Sequence, residues 1–194
     1  MKRSTFALVS LIFVSVLLLG ACSNSEETSD PAKNTESVSS ESSHDEHEGM
    51  DHSGSAEVPE GLREAENPAY PPGSKAQINA DHMPGMNGAE AIVTGAYQTT
   101  AYSISYTSST TGEKVENHKW VIHEELKDPS KKEAEPGSEV TVNTDHSDGM
   151  SGAKAQVESA EETTVYMVDY TDMDSGEEVT NHKWVTESEL SAEQ

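Results

Sequence analysis

Three imidazoles and one thioether fall within nine residues of this chain, at His44, His47, Met50 and His52. Imidazole nitrogen suits copper, zinc and nickel, and thioether sulfur adds a preference for soft Cu(I). Carboxylates interleave with them at Asp45, Glu46, Glu48 and Asp51. These raise the local cation concentration and offer ligands to a harder ion such as Cu(II). The spacing predicts a metal-binding tract that favours copper modestly, with zinc possible; the competing reading is a solvated stretch whose histidines only keep it soluble. A second cluster is Asp81-His82-Met83-Pro84-Gly85-Met86, echoed at Asp145-His146-Ser147-Asp148-Gly149-Met150. His82, Met83, Met86, His146 and Met150 are its candidate donors, the first turn being the softer of the two. The same residues would equally serve structure, Met86 and Met150 as plugs and the two histidines as hydrogen-bonded braces. His118 and His182 stand two residues before Trp120 and Trp184. They read as packed neighbours of core tryptophans rather than ligands. His123, which becomes Glu187 in the echo, is assigned no role.

What positions these groups is limited by composition. The chain has 194 residues, 36 acidic against 12 basic, a formal charge of -24, 32% apolar side chains and one cysteine. Ordinary globular chains are roughly 45–50% apolar, so any ordered part must be small. A single cysteine forms no internal disulfide and no multi-cysteine zinc frame. The acidity argues against nucleic acid, whose phosphates require Lys and Arg. It argues equally against a basic patch on anionic lipid. No hydrolase elbow, phosphate loop or dinucleotide glycine pattern occurs, and the chain reads as a binding protein rather than an enzyme.

Lys2 and Arg3 precede an apolar run from Phe6 to Leu19, short for a membrane span and suited to a secretory signal. The run ends Leu19-Gly20-Ala21-Cys22, which resembles the bacterial lipobox. Residues 1–21 are therefore expected to be a lipoprotein signal peptide, and Cys22 to carry the lipid that holds the mature chain on the outer face of the membrane. Residues 22–66 read as an acidic tether too poor in apolar groups to offset the entropy of ordering. A flexible segment of about 40 residues reaches on the order of 35 Å. The disordered stretch runs to about Gly61, and Leu62 to Pro72 reads as a stiffer proline-rich entry segment, neither helix nor strand.

The rest is an internal repeat. Gly73 to Lys127 aligns with Gly137 to Ser191 without a gap, about half of the positions being identical. Asp81-His82 matches Asp145-His146, and Asn117-His118-Lys119-Trp120-Val121 matches Asn181-His182-Lys183-Trp184-Val185. Residues 67–130 and 131–194 are read as two domains of one fold. Alternation at Ala76, Ile78 and Ala80, at Ala89, Ala91 and Val93, and at Tyr102, Ile104 and Tyr106 predicts three short strands per copy. A hairpin at 109–112, a fourth strand through Trp120 and a helical turn near Glu125 complete the copy. Four or five short strands without a helix predict an all-β class, with each copy curled into an SH3-like barrel to hide its edges.

The lipobox, the His/Met tract and the two copies of Asn-His-Lys-Trp-Val together resemble the YdhK family of Gram-positive lipoproteins, whose bodies are a tandem domain of unknown function. The resemblance covers Asn67 to the C-terminus. That family is taken to include a staphylococcal lipoprotein associated with extracellular copper binding and copper resistance. The resemblance implies a comparable role here, carried most directly by His82, Met83 and Met86 and by His146 and Met150, with Ser147 and Asp148 as departures. The expected partners are then a metal ion, the membrane through its anchor, and a copper transporter. A cell-wall polymer recognised by an adhesion module is the rival expectation.

Overall fold

The computed structural model describes residues 53–192. The signal segment, Cys22 and the tract His44, His47, Met50 and His52 lie outside the described residues. The described chain is built from β1 (Arg63–Glu64), β2 (Lys75–Ile78), β3 (Glu90–Thr107), β4 (Lys114–Ile122), β5 (Glu139–Thr141), β6 (Lys154–Thr171), β7 (Glu178–Thr186) and β8 (Leu190–Ser191). Two 3-10 turns, His123–Glu125 and Glu187–Glu189, follow β4 and β7.

The all-β class and the two repeats are as the sequence predicts; the closed barrels are not. All eight strands form one open sheet with the path β5-β6-β3-β2-β8, to which β1 and β4 add on β3 and β7 adds on β6. The expected second and third strands of each copy are a single strand of 18 residues, β3 in one copy and β6 in the other. The stretch between them in the first copy, residues 94–101, holds no proline and is rich in Thr, and the ladder to β6 runs on through it past one register shift between Val93 and Gly95. The proline-rich lead-in also departs from expectation, since Arg63 and Glu64 pair with Gln98 and Tyr97 as β1.

The two long strands run antiparallel along their whole length, from Ala91 opposite Tyr170 to Tyr106 opposite Ala155. Thr99 faces Thr163, its own equivalent in the repeat, so a pseudo-two-fold axis passes between them. This pairing is what hides the edges that barrel closure would have hidden. It also mixes the cores. Ala76, Ile78 and Val93 of the first copy pack with Tyr166, Val168, Tyr170 and Leu190 of the second. Tyr102, Ile104, Tyr106 and Val121 pack with Val142, Met150, Ala155 and Val157. A third cluster joins Trp120 and Ile122 to Val165, Met167 and Trp184. A copy of some 55 residues with so few apolar groups buries too little by itself, and sharing each core between copies supplies the missing area. The ends exchange as well: β8 of the second copy pairs with β2 of the first, and Leu126 of the first bridges Val142 of the second.

Candidate metal centre

The Asn-His-Lys-Trp run lies in β4 and β7, where the ladder to the long strand is irregular. Ile104 pairs with His118, and register shifts fall on both sides of that pair; Val168 and His182 repeat the pattern. Bulges re-aim side chains, and here they turn the histidine toward the interior. Asn117 and Asn181 take φ of 53°, the left-handed region that asparagine tolerates better than most residues. Their backbone N–H groups donate to Ser105 Oγ at 3.1 Å and to Asp169 Oδ1 at 2.7 Å.

The Asp-His turns do not stay in their own copy. Met173 N–H donates to Gly85 O at 2.8 Å, and Ser109 N–H donates to Gly149 O at 3.0 Å, so each turn docks on the other copy's hairpin. A Cβ at Gly85 would sit 2.2 Å from the Asp172 carboxylate, and at Gly149 2.3 Å from Ser108 Oγ; both glycines also have positive φ. Only glycine fits such an approach. The docking carries each turn histidine to the strand histidine of the opposite copy. His82 and His182 have ring centroids 6.2 Å apart, and His118 and His146 6.3 Å apart, each pair with its planes inclined by 38°. Tyr170 stands edge-on to His182 at 5.8 Å and Tyr106 edge-on to His118 at 6.1 Å.

A carboxylate braces each turn histidine, again from the other copy. Glu125 Oε1 accepts His146 Nε2–H at 2.8 Å, while Oε2 accepts the backbone N–H of Ile122 at 3.0 Å. Thr144 Oγ1 adds a longer bond at 3.3 Å. Glu189 Oε1 lies 3.7 Å from His82 Nε2, and its Oε2 accepts Trp120 Nε1–H at 2.7 Å and Thr186 N–H at 3.0 Å. Bonding at Nε2 leaves Nδ1 of His146 as the lone-pair nitrogen. That atom and Nε2 of His118 are buried without a hydrogen-bond partner among the described residues, as is Nδ1 of His82.

Burial, then the neighbouring His146 and His82, hold His118 down to about 4, so it is neutral at pH 7. Burial alone would raise the Glu189 carboxyl, but the facing His82 and the N–H groups of Thr186 and Trp120 outweigh it and hold it at about 2. Both groups make the metal-free protein acid-sensitive. A base whose folded pKa is depressed binds its proton more readily in the unfolded chain, so stability falls as pH drops from about 6.5 toward 4, by about 3 kcal/mol at most for His118. The Glu189 contribution is full above 4.5 and is lost as pH falls toward about 2. Urea midpoints of the metal-free protein are expected to decline over pH 6.5 to 4, and the His118→Gln protein to flatten that stretch. A wild-type midpoint constant over that range contradicts the assignment.

The imidazoles border a cavity of about 350 Å³ lined by His118, His146 and His182 together with Met83, Lys119 and Lys183. Its rim carries Ser53, Gly54 and Ser55, the start of the described chain. Gly54 N–H donates to Thr180 O at 2.8 Å, Thr180 N–H to Ser53 Oγ at 3.1 Å, and Lys183 Nζ to Glu57 O. Residues 53–57 of the expected tether are thus laid along β7. Lys119 Nζ sits 5.1 Å from the Trp120 ring centroid, and burial lowers the pKa of Lys183.

Of the donors named from sequence, His82 and His146 are brought to the centre and Met83 lines it. Met86 and Met150 are fully buried in the two mixed cores. His118 and His182, read as structural, stand opposite the turn histidines. Glu125 and Glu189 were missed because acidic residues are everywhere in this chain; their equivalence in the gapless repeat, 52 residues after Gly73 and Gly137, was the available signal. His123 also has a place, with Nδ1 3.1 Å from the Tyr102 hydroxyl. Glu187 does the same for Tyr166 at 2.7 Å. Among the described residues, no three His, Cys, Asp or Glu side chains are grouped to hold an ion. No described helix is long and apolar enough to cross a membrane.

Comparison with known proteins places this arrangement. Residues 72–123 and 136–187 each match the family described as "Protein of unknown function (DUF1541)". The uncharacterized protein YdhK of Bacillus subtilis is 55% identical over 192 residues, spanning 99% of this chain and 91% of that one. The crystal structure of a DUF1541 family protein (ydhK) from B. subtilis superposes with a TM-score of 0.72 at 61% identity, covering 76% of this chain and all of that one. A second crystal structure of the B. subtilis ydhK protein gives 0.60 at 58% identity, over 62% and 98% of the two chains. The matched segments begin and end where the gapless repeat does to within a few residues, and the chain belongs to the DUF1541 family.

Proposed function

We propose that the protein is a membrane-anchored, extracellular copper-binding lipoprotein that sequesters the ion and lowers the amount free to enter the cell, without turnover. One observation carries the reading: the turn histidines of both copies meet a second histidine, His118, His146 and His182 line one cavity, and Nδ1 of His82, Nδ1 of His146 and Nε2 of His118 are buried with no hydrogen-bond partner among the described residues. Neutral imidazole in that state is a ligand for copper or zinc. The acidic surface concentrates cations, and the His44–His52 tract adds donors ahead of the folded body. Cys22 would hold the assembly at the membrane, and a copper transporter is the partner that would receive or compete for the ion.

Equilibrium dialysis of the mature chain against copper and zinc tests it, beside a variant with His44, His47, Met50 and His52 replaced and a His82→Ala/His146→Ala variant. Copper retained by the intact chain and reduced in both variants is expected; no retention above background defeats the reading. Cys22→Ala is expected to release the protein into the medium, and undiminished membrane retention defeats the anchor. A second reading has one observation in its favour. Lys119 and Lys183, in a chain with only 12 basic residues, both line the cavity, which suits an anionic wall polymer. Failure of copper binding with retention on purified cell wall would establish that rival.

A further inference from the structure

We propose that the outer edge of β7 is a docking groove for an extended peptide segment with glycine at one fixed register, and that its occupant is Ser53–Glu57 of this chain, a strap that closes the mouth of the histidine-lined cavity and uncovers it on leaving. This holds whatever the cavity takes up, since the strap is read from backbone pairing and space alone.

β7 pairs with β6 on one side only, so its other side offers backbone groups to any extended chain that comes alongside. Thr180 presents both of its groups there: its C=O accepts Gly54 N–H at 2.8 Å, and its N–H donates to Ser53 Oγ at 3.1 Å. Asn181 Nδ2 adds a longer bond to Gly54 O at 3.4 Å, and Lys183 Nζ donates to Glu57 O. All but the Ser53 bond use backbone atoms of the strap. Selectivity comes from space instead. A Cβ on Gly54 would stand 2.6 Å from the Asn181 carbonyl oxygen, a backbone atom that cannot swing aside. Any side chain at that position must leave the register.

The repeat shows what the strap covers. Glu116 and Asn117 of β4 are exposed and His118 is half-buried, and among the described residues no backbone outside the sheet is hydrogen-bonded to Glu116. Their equivalents beside the strap, Thr180 and Asn181, are half-buried, and His182 is buried. Ser53, Gly54 and Ser55 line the cavity of about 350 Å³ together with His118 and His146. Further along, Ser55, Glu57 and Pro59 border a second space of about 500 Å³ with Glu124 and Lys127 of the first copy. One segment therefore bridges both copies at the cavity, and Lys183 borders both spaces.

The strap is built to leave. None of residues 53–57 belongs to the three cores, and hydrogen bonds at a strand edge open locally at a fraction of the global free energy. Val58 to Leu62 join the strap to β1, which keeps it at an effective concentration on the order of millimolar. An extended glycine-bearing segment supplied in trans has to compete with that.

The test is carbethoxylation of the metal-free mature chain by diethyl pyrocarbonate, read residue by residue by mass spectrometry, beside Gly54→Val. Lys183 and His118 are expected to react about tenfold faster in the variant, as sites freed from a local opening step, while the exposed Lys154 reacts equally in both. A peptide of residues 53–57 at roughly millimolar concentration should restore protection to the variant, and the same peptide with valine in place of its glycine should not. In the wild type itself, the Thr180 amide should exchange with solvent more slowly than the amide of Glu116, its repeat equivalent; equal exchange overturns the docking without recourse to a variant. Equal Lys183 reactivity in wild type and Gly54→Val overturns the strap. A rise at Lys183 without one at His118 overturns closure of the cavity, and protection restored by both peptides, or by neither, overturns the groove.

Discussion

Glu125→Ala is expected to lower stability by about 2–4 kcal/mol and to weaken copper binding at the His118 and His146 pair by about 10–100-fold. The side chain is 4% exposed and accepts from Ile122 N–H, His146 Nε2–H and the Thr144 hydroxyl. Truncation removes the acceptor of two or three donors, among them the buried Ile122 N–H, and each unsatisfied buried donor costs about 1–3 kcal/mol. The histidine also loses the group that fixes its proton. Glu125→Gln, which keeps an acceptor oxygen and the same length, should recover most of the stability and part of the affinity. Glu139→Ala supplies the control, since the Lys154–Glu139 contact is exposed on both sides and its loss should stay within about 0.5 kcal/mol. Urea denaturation and Cu(I) competition measure the two effects separately. Equal stability of Glu125→Ala and wild type would mean that the carboxylate is not the brace described.

Trp184→Ala should cost about 3–5 kcal/mol, enough to leave a small domain marginal. The indole is fully buried, lies edge-on to Tyr97 at 5.8 Å, and packs in the cluster that joins Trp120 and Ile122 to Val165 and Met167. The loss should not be confined to the copy that carries the change. Because every core is drawn from both copies, unfolding should remain one transition, with amide signals from β2 and from β6 vanishing at the same urea concentration. Two separate barrels would instead lose the second copy and keep the first. Persistence of first-copy signals past the midpoint would refute the shared core.

That distinction also marks what could be read from the sequence. Alternation located the buried faces well: Ala76 and Ile78, Tyr102, Ile104 and Tyr106, and Tyr166, Val168 and Tyr170 all point into cores. The hairpin at 109–112 and the turn at Glu125 also stand where the residues put them. Periodicity reports which side of a strand is covered, but not by which copy, and two copies with the same apolar pattern make that choice invisible. The barrel expectation failed for this reason. Where a single-copy barrel would join two strands at a corner, residues 94–101 simply continue β3. At the site, the turn histidines carried a signal because Met residues sit beside them. The strand histidines carried a packing signal because tryptophan sits beside them, and that proximity is real: His118 is flanked by Tyr106 as well as His146. What local spacing does not contain is the docking of Gly85 on Asp172 and Gly149 on Ser108, which sets the pairs.

The register that places Thr99 against Thr163 is the register of two identical molecules lying across a dyad. Geometrically the chain is a homodimer whose subunits have been joined end to end, the segment at 128–136 keeping the halves at high effective concentration. Once joined, the halves are released from strict identity, and the replacement of Met83-Pro84 by Ser147-Asp148 is the kind of divergence that a true dimer, with one gene for both sides, has no means to acquire.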